Sequence, residues 1–181
     1  MAIPVFLSYP QPHQQKQSAF VQEVAAYLRQ RGLEPKTLGV NEYDTDAPLT
    51  AIRRLMLESN GLITIAFRRL WVEDATSRKD ADVSWANATT LPKTWLTSPY
   101  CHIEPAMAFQ LGLPILLLRE RGVLAEGVLE RGVVGMYMPE FSVDNTSNYL
   151  QSDEWNALIA KWEAQVRSVR EAKGHPPSLF R

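Results

Sequence analysis

Three stretches of this chain are almost wholly apolar and too short to be buried helices: Ile3–Ser8, Leu62–Phe67 and Pro114–Leu118. Runs of this length bounded by turn formers read as strands covered on both faces. Between them lie segments whose apolar residues recur at helical spacing. Phe20, Val24 and Leu28 mark one helix, stopped at Gly32. Leu49, Ile52, Leu55 and Met56 mark another, with Asp46 as the expected N-cap and Asn60-Gly61 as the stop. Trp155, Ile159, Trp162, Val166 and Val169 predict a C-terminal helix over 152–173. Ser152 caps it, Asp153 and Glu154 fill its first turn, Arg167, Arg170 and Lys173 its last, and Gly174 ends it. Two weaker strands complete the set, Val133–Met138 and Leu33–Leu38, the latter placed at an edge by Pro35.

Strands alternating with amphipathic helices predict an α/β fold, a parallel sheet with helices on both faces. Five strands favour the flavodoxin-like order 2-1-3-4-5. Its ligand crevice opens at the carboxyl ends of the first and third strands. The 181 residues read as a single domain, 1–181, with an irregular insertion at about 76–97. So long a polar stretch in a compact domain is expected to act as a lid or a partner-binding segment.

Composition narrows the function. A net charge of −1 gives no basic field for nucleic acid or an anionic membrane surface. No apolar stretch reaches spanning length, and the N-terminus lacks a basic leader, so the expected place is the cytoplasm. The single cysteine, Cys101, excludes an internal disulfide and a multi-thiolate zinc site. Three histidines share no ligand spacing, so no metal is expected. Neither the dinucleotide fingerprint nor the P-loop occurs.

The segment Ser98–Leu118, SPYCHIEPAMAFQLGLPILLL, carries the sharpest candidate. Ser98 and Pro99 form an N-cap and N1 pair, and Gly112 and Pro114 stop the helix. Glu104 shares a face with Met107, Ala108 and Leu111. A carboxylate on an apolar stripe lines a cavity or meets a cation, because burial without a partner is costly. Desolvation raises its pKa and the helix N-terminus lowers it. Pro105 either kinks the helix or marks where regular geometry begins. The plain alternative is a structural carboxylate paired with an arginine or capping backbone amides. Cys101 reads as a packed small residue, and Ser8 as a strand-end hydrogen-bonding group.

Two blocks carry a resemblance. Val5–Tyr9, VFLSY, resembles the first-strand box of Toll/interleukin-1 receptor (TIR) domains. Ser98–Glu104 resembles their S-x-W-C-x-x-E segment, with Tyr100 in place of the tryptophan. The same stretch is similar to nucleoside 2-deoxyribosyltransferases. Both resemblances imply a flavodoxin-like sheet and assign Glu104 as the catalytic carboxylate at an N-glycosidic bond. Ser8, Tyr9, Asp44 and Phe67 are expected to bind substrate. Arg68, Trp71, Ser98 and Tyr100 join them, Arg68 as a phosphate contact. The first expectation is an enzyme that cleaves NAD as substrate, with no bound cofactor, acts in bacterial defence signalling and forms a homo-oligomer. A nucleoside or nucleotide 2-deoxyribosyltransferase or N-glycosidase is the alternative. A non-catalytic, self-associating TIR-like adaptor is the third.

Overall fold

The computed structural model describes residues 2–171. Strands β1 (Ile3–Ser8), β2 (Leu33–Lys36), β3 (Leu62–Ala66), β8 (Ile115–Glu120) and β9 (Glu140–Phe141) form one sheet. Their order is β2-β1-β3-β8-β9 and every pair is parallel. This is the expected 2-1-3-4-5 order, the numbering shifted by four short strands that intervene, β4 (Leu70–Val72), β5 (Ala75–Ser77), β6 (Thr89–Leu91) and β7 (Thr94–Leu96).

Alternation along the strands sends two sets of side chains to two helical layers. Val5, Leu7, Ile63, Ile65, Leu116 and Leu118 pack with α1 (Gln15–Gln30) and α5 (Asp153–Glu171). Phe20 of α1 stacks on Phe141 at 4.2 Å, closing this layer over β9. On the opposite face Phe6 and Leu62 pack with Ile52, Leu55 and Met56 of α2 (Pro48–Glu58) and with Ala108 of α3 (Tyr100–Gln110). Helix α5 starts as expected: the Ser152 hydroxyl accepts the Trp155 N–H at 3.1 Å. The expected last-turn Lys173 and the Gly174 stop lie outside the described residues.

Three expectations are corrected. Val133–Met138 is not the fifth strand. Gly132 adopts φ 91° and its N–H meets the Gly135 carbonyl at 2.8 Å, so the chain turns there. Val133, Met136 and Tyr137 are exposed, and pairing with β8 begins only after Pro139. Asp46 does not cap α2. Its N–H donates to the Asp44 carboxylate at 3.0 Å, and Ala47 takes the cap position before Pro48 at N1. The aperiodic segment after β3 is not a structureless loop. It is an antiparallel arm in which β4 (Leu70–Val72) pairs with β7 (Thr94–Leu96), and β5 (Ala75–Ser77) with β6 (Thr89–Leu91). Each pairing is only three residues long, too short for period 2 to stand out in the sequence. The arm is rooted where the Trp95 backbone bonds to Gly122 O at 3.1 Å and Leu124 N at 2.8 Å.

Candidate active site

Helix α3 sets the position of Glu104. The Ser98 hydroxyl accepts the Tyr100 N–H at 3.3 Å and its carbonyl the Cys101 N–H at 2.9 Å, while Pro99 is already helical at φ −53°, ψ −31°. Ser98 is thus the cap and Pro99 occupies N1. The helix runs through Pro105, which is buried inside it and donates no bond to the Cys101 carbonyl. One stripe of α3 faces β3. Cys101 packs in the cluster that holds Ala66, and its thiol approaches the Ile65 carbonyl at 3.9 Å. Ala108 packs in the cluster that holds Leu62. Glu104 is three residues past the one and four before the other. That spacing puts it over Thr64 and over Ser8, the residue paired with Thr64 in the sheet.

The carboxyl of Glu104 is therefore enclosed, the residue being 8% exposed. Among the described residues no ion pair reaches it. Burial pushes its pKa up to about 7, and the neighbouring Ser8 hydroxyl pulls it back in part. Burial outweighs the helix terminus because Glu104 lies in the second turn, where the terminal field has fallen off. Below it, Ser8 Oγ and Thr64 Oγ1 are both buried and make no hydrogen bond of good geometry. Burial also pushes the Cys101 thiol up to about 12, so it stays protonated and inert near neutral pH.

The other expected site residues are distributed differently. Ser98 serves α3 as its cap, and Tyr100 stands 40% exposed in the first turn of the same helix. Tyr9 turns to the α1 face, half-buried, with its phenol pushed up by burial and its hydroxyl toward Thr37. Phe67 is core on that same face, edge-on to Phe20 at 6.0 Å and 1% exposed, because odd-numbered β3 positions point away from α3. Asp44 pairs with Arg54 at 3.0 Å. The Asp46 N–H and Arg54 hold its carboxyl below the usual range. Trp71 lies in the arm, tilted against Trp95 at 5.0 Å, its indole N–H donating to Glu73 at 3.0 Å.

Arg68 belongs to a buried network beside the strand ends. Its backbone N–H donates to Glu120 Oε2 at 2.8 Å, and its Nε to the Arg121 carbonyl at 2.6 Å. Gln17, wholly buried, donates to the Arg68 carbonyl at 3.2 Å and to Glu120 Oε2 at 3.4 Å. Sequence reasoning missed Gln17, Thr64 and Glu120. Thr64 had a signal: it is the one polar residue in LITIA. Glu120 had none, since a polar residue at the end of an apolar run reads as the start of a loop.

Among the described residues no cluster of His, Cys, Asp and Glu could hold a metal ion, and no helix is long and apolar enough to cross a membrane. No protein-family model and no curated protein matches the chain. Among solved structures it is similar to the CMP N-glycosidase BcmB of Clostridium botulinum. That match has a TM-score of 0.49 and 17% identity, covering 82% of this chain and 95% of that one. It is also similar to the TIR domains of the activated Roq1 resistosome that directly recognises the pathogen effector XopQ. There the TM-score is 0.40 and the identity 12%, over 99% of this chain and 90% of that one. At these values neither likeness carries an argument about what this chain does.

Proposed function

We propose that this chain cleaves an N-glycosidic bond in a nucleotide or nucleoside, with Glu104 as the catalytic carboxylate and NAD as the substrate. One observation carries the reading: the Glu104 carboxyl is buried with no ion pair among the described residues, above two buried hydroxyls, Ser8 and Thr64, where β1 and β3 end. Such a group is expensive to keep unless it acts. When the bond from C1′ to the base breaks, the electron pair leaves with the base and positive charge develops on the sugar. An enclosed carboxylate stabilises that charge, or attacks C1′ to form a covalent intermediate that water then releases. With its pKa pushed up to about 7 by burial, Glu104 exchanges its proton near neutral pH. A substrate already carrying a cationic base, as the nicotinamide of NAD does, drives the ionised form and departs without needing a proton. The reading includes NAD depletion by a self-associating protein in a defence response, as the sequence resemblance implies.

The test is incubation of the full chain with NAD and, separately, with deoxynucleosides, followed by mass spectrometry of the products. Nicotinamide release is expected, falling at least about a hundredfold in Glu104→Gln, which corresponds to ~3 kcal/mol of transition-state stabilisation. Undiminished release by a folded Glu104→Gln protein refutes the mechanism. Free base from deoxynucleosides with none from NAD selects the deoxyribosyltransferase or N-glycosidase reading. Neither product, with concentration-dependent assembly, selects the adaptor.

A further inference from the structure

We infer that Ser8 and Thr64 are positioning residues for Glu104: their hydroxyls hold its carboxylate in a single orientation beneath the sugar. The inference rests on the catalytic reading of Glu104 and adds two residues to it. Both hydroxyls lie on the α3 face of the sheet at one register position, Ser8 on β1 and Thr64 on β3. The two residues are 3% and 0% exposed; the Ser8 hydroxyl already acts on the Glu104 carboxyl, and among the described residues neither hydroxyl makes a hydrogen bond of good geometry to any other group. Their neighbours along the two strands are apolar, so alanine or valine would fill either place without burying an unsatisfied group. A hydroxyl rotates freely. It donates to a carboxylate when Glu104 is ionised and accepts from the acid when it is protonated. Two such groups under one carboxyl serve both protonation states, which a fixed cation would not.

Among the described residues no charged group competes for this role. Strands β1 and β3 contain no titratable residue, and neither does the short 3-10 turn Gly127–Leu129 packed on α3. On β8, Arg119 pairs with Glu140, and Glu120 is taken by Arg68 and Gln17. On α2, Arg54 pairs with Asp44 and Glu58, and Arg53 is exposed. On α3 itself Cys101 stays neutral and His102 faces Gly127; Arg69, past β3, is exposed and acts on Cys101.

The experiment follows the Glu104 carboxyl by carbon-13 NMR in labelled wild type, Ser8→Ala, Thr64→Val and Thr64→Ser, and records the pH profile of kcat on the same samples. In Ser8→Ala and Thr64→Val the titration midpoint is expected to rise by about one unit, lowering kcat about tenfold on the acid side while KM is kept. Thr64→Ser, which keeps a hydroxyl, should restore both. The two substitutions are independent, so either folded variant suffices. An unmoved midpoint in every variant that folds overturns the inference while leaving the catalytic reading intact. Activity retained in Glu104→Gln removes the catalytic reading instead, and the NMR titration still decides whether the hydroxyls hold the carboxyl.

Discussion

Replacing Glu104 by glutamine should change how stability depends on pH, and the size of the change follows from burial. The carboxyl titrates at an ordinary 4.5 in the unfolded chain and at about 7 in the folded one. Between those values the folded protein keeps a proton that the unfolded chain has released. Stability is therefore full below 4.5, declines as pH rises through 7, and is level above it. The shift of two to three units corresponds to about 3 kcal/mol, with a slope approaching ~1.4 kcal/mol per pH unit. Glutamine has no proton to lose, so this decline disappears. The amide brings its own constant cost of burial, so the informative quantity is the difference between variant and wild type across pH. Urea unfolding of both proteins from pH 4.5 to 8.5 measures it. The difference should move by about 3 kcal/mol in favour of the variant, or roughly 6–12 °C in melting temperature for a chain of this size. A difference that stays constant across the range would mean that water reaches the carboxyl freely and that its enclosure under α3 is wrong.

Two further outcomes are expected. Gly61→Ala would place a methyl 2.6 Å from Val166 Cγ2 and 3.1 Å from Trp162 Cζ2. That overpacking should cost about 1–3 kcal/mol in chemical denaturation, with part recovered by adding Val166→Ala; no loss would mean that α5 docks elsewhere. Residues 78–88 sit beyond the last arm pairing, Ser77 with Thr89, so replacing them by Asn-Gly should close a two-residue hairpin and leave the melting temperature within about 2 °C. A larger drop by calorimetry would show that the arm's tip packs on the body.

The sequence made the sheet legible because its strands are covered on both faces and stand out as unbroken apolar runs. Ile3–Ser8 is read to the residue, and Leu62, Ile115 and Leu33 open their strands within a residue of the expected starts. The fifth strand was misplaced because Val133–Met138 has a strand's composition, whereas its conformation is decided by the turn at Gly132. Glu140–Phe141 is too short to leave a pattern. Glu104 was visible as a carboxylate on an apolar stripe, and Ser8 as a strand end. Thr64 joins them only through register, which one strand read alone does not contain. Phe67 misled for a related reason: nearness in sequence to the crevice says nothing about which face a side chain takes.

Helix α5 has a bearing on synthesis. Trp155, Ile159, Trp162 and Val166 are buried on the face of the sheet that α1 leaves half uncovered, and Trp162 Nε1 donates to the Pro114 carbonyl at 3.2 Å. All of them come late in the chain, whereas β1, β3 and β8 are complete by residue 120. A nascent chain on the ribosome thus carries Leu116, Leu118 and their neighbours unshielded until about 50 more residues have been made, roughly 3–10 s at ordinary elongation rates. In that interval the half-built sheet exposes apolar surface of the kind that chaperones bind, and docking of α5 covers it.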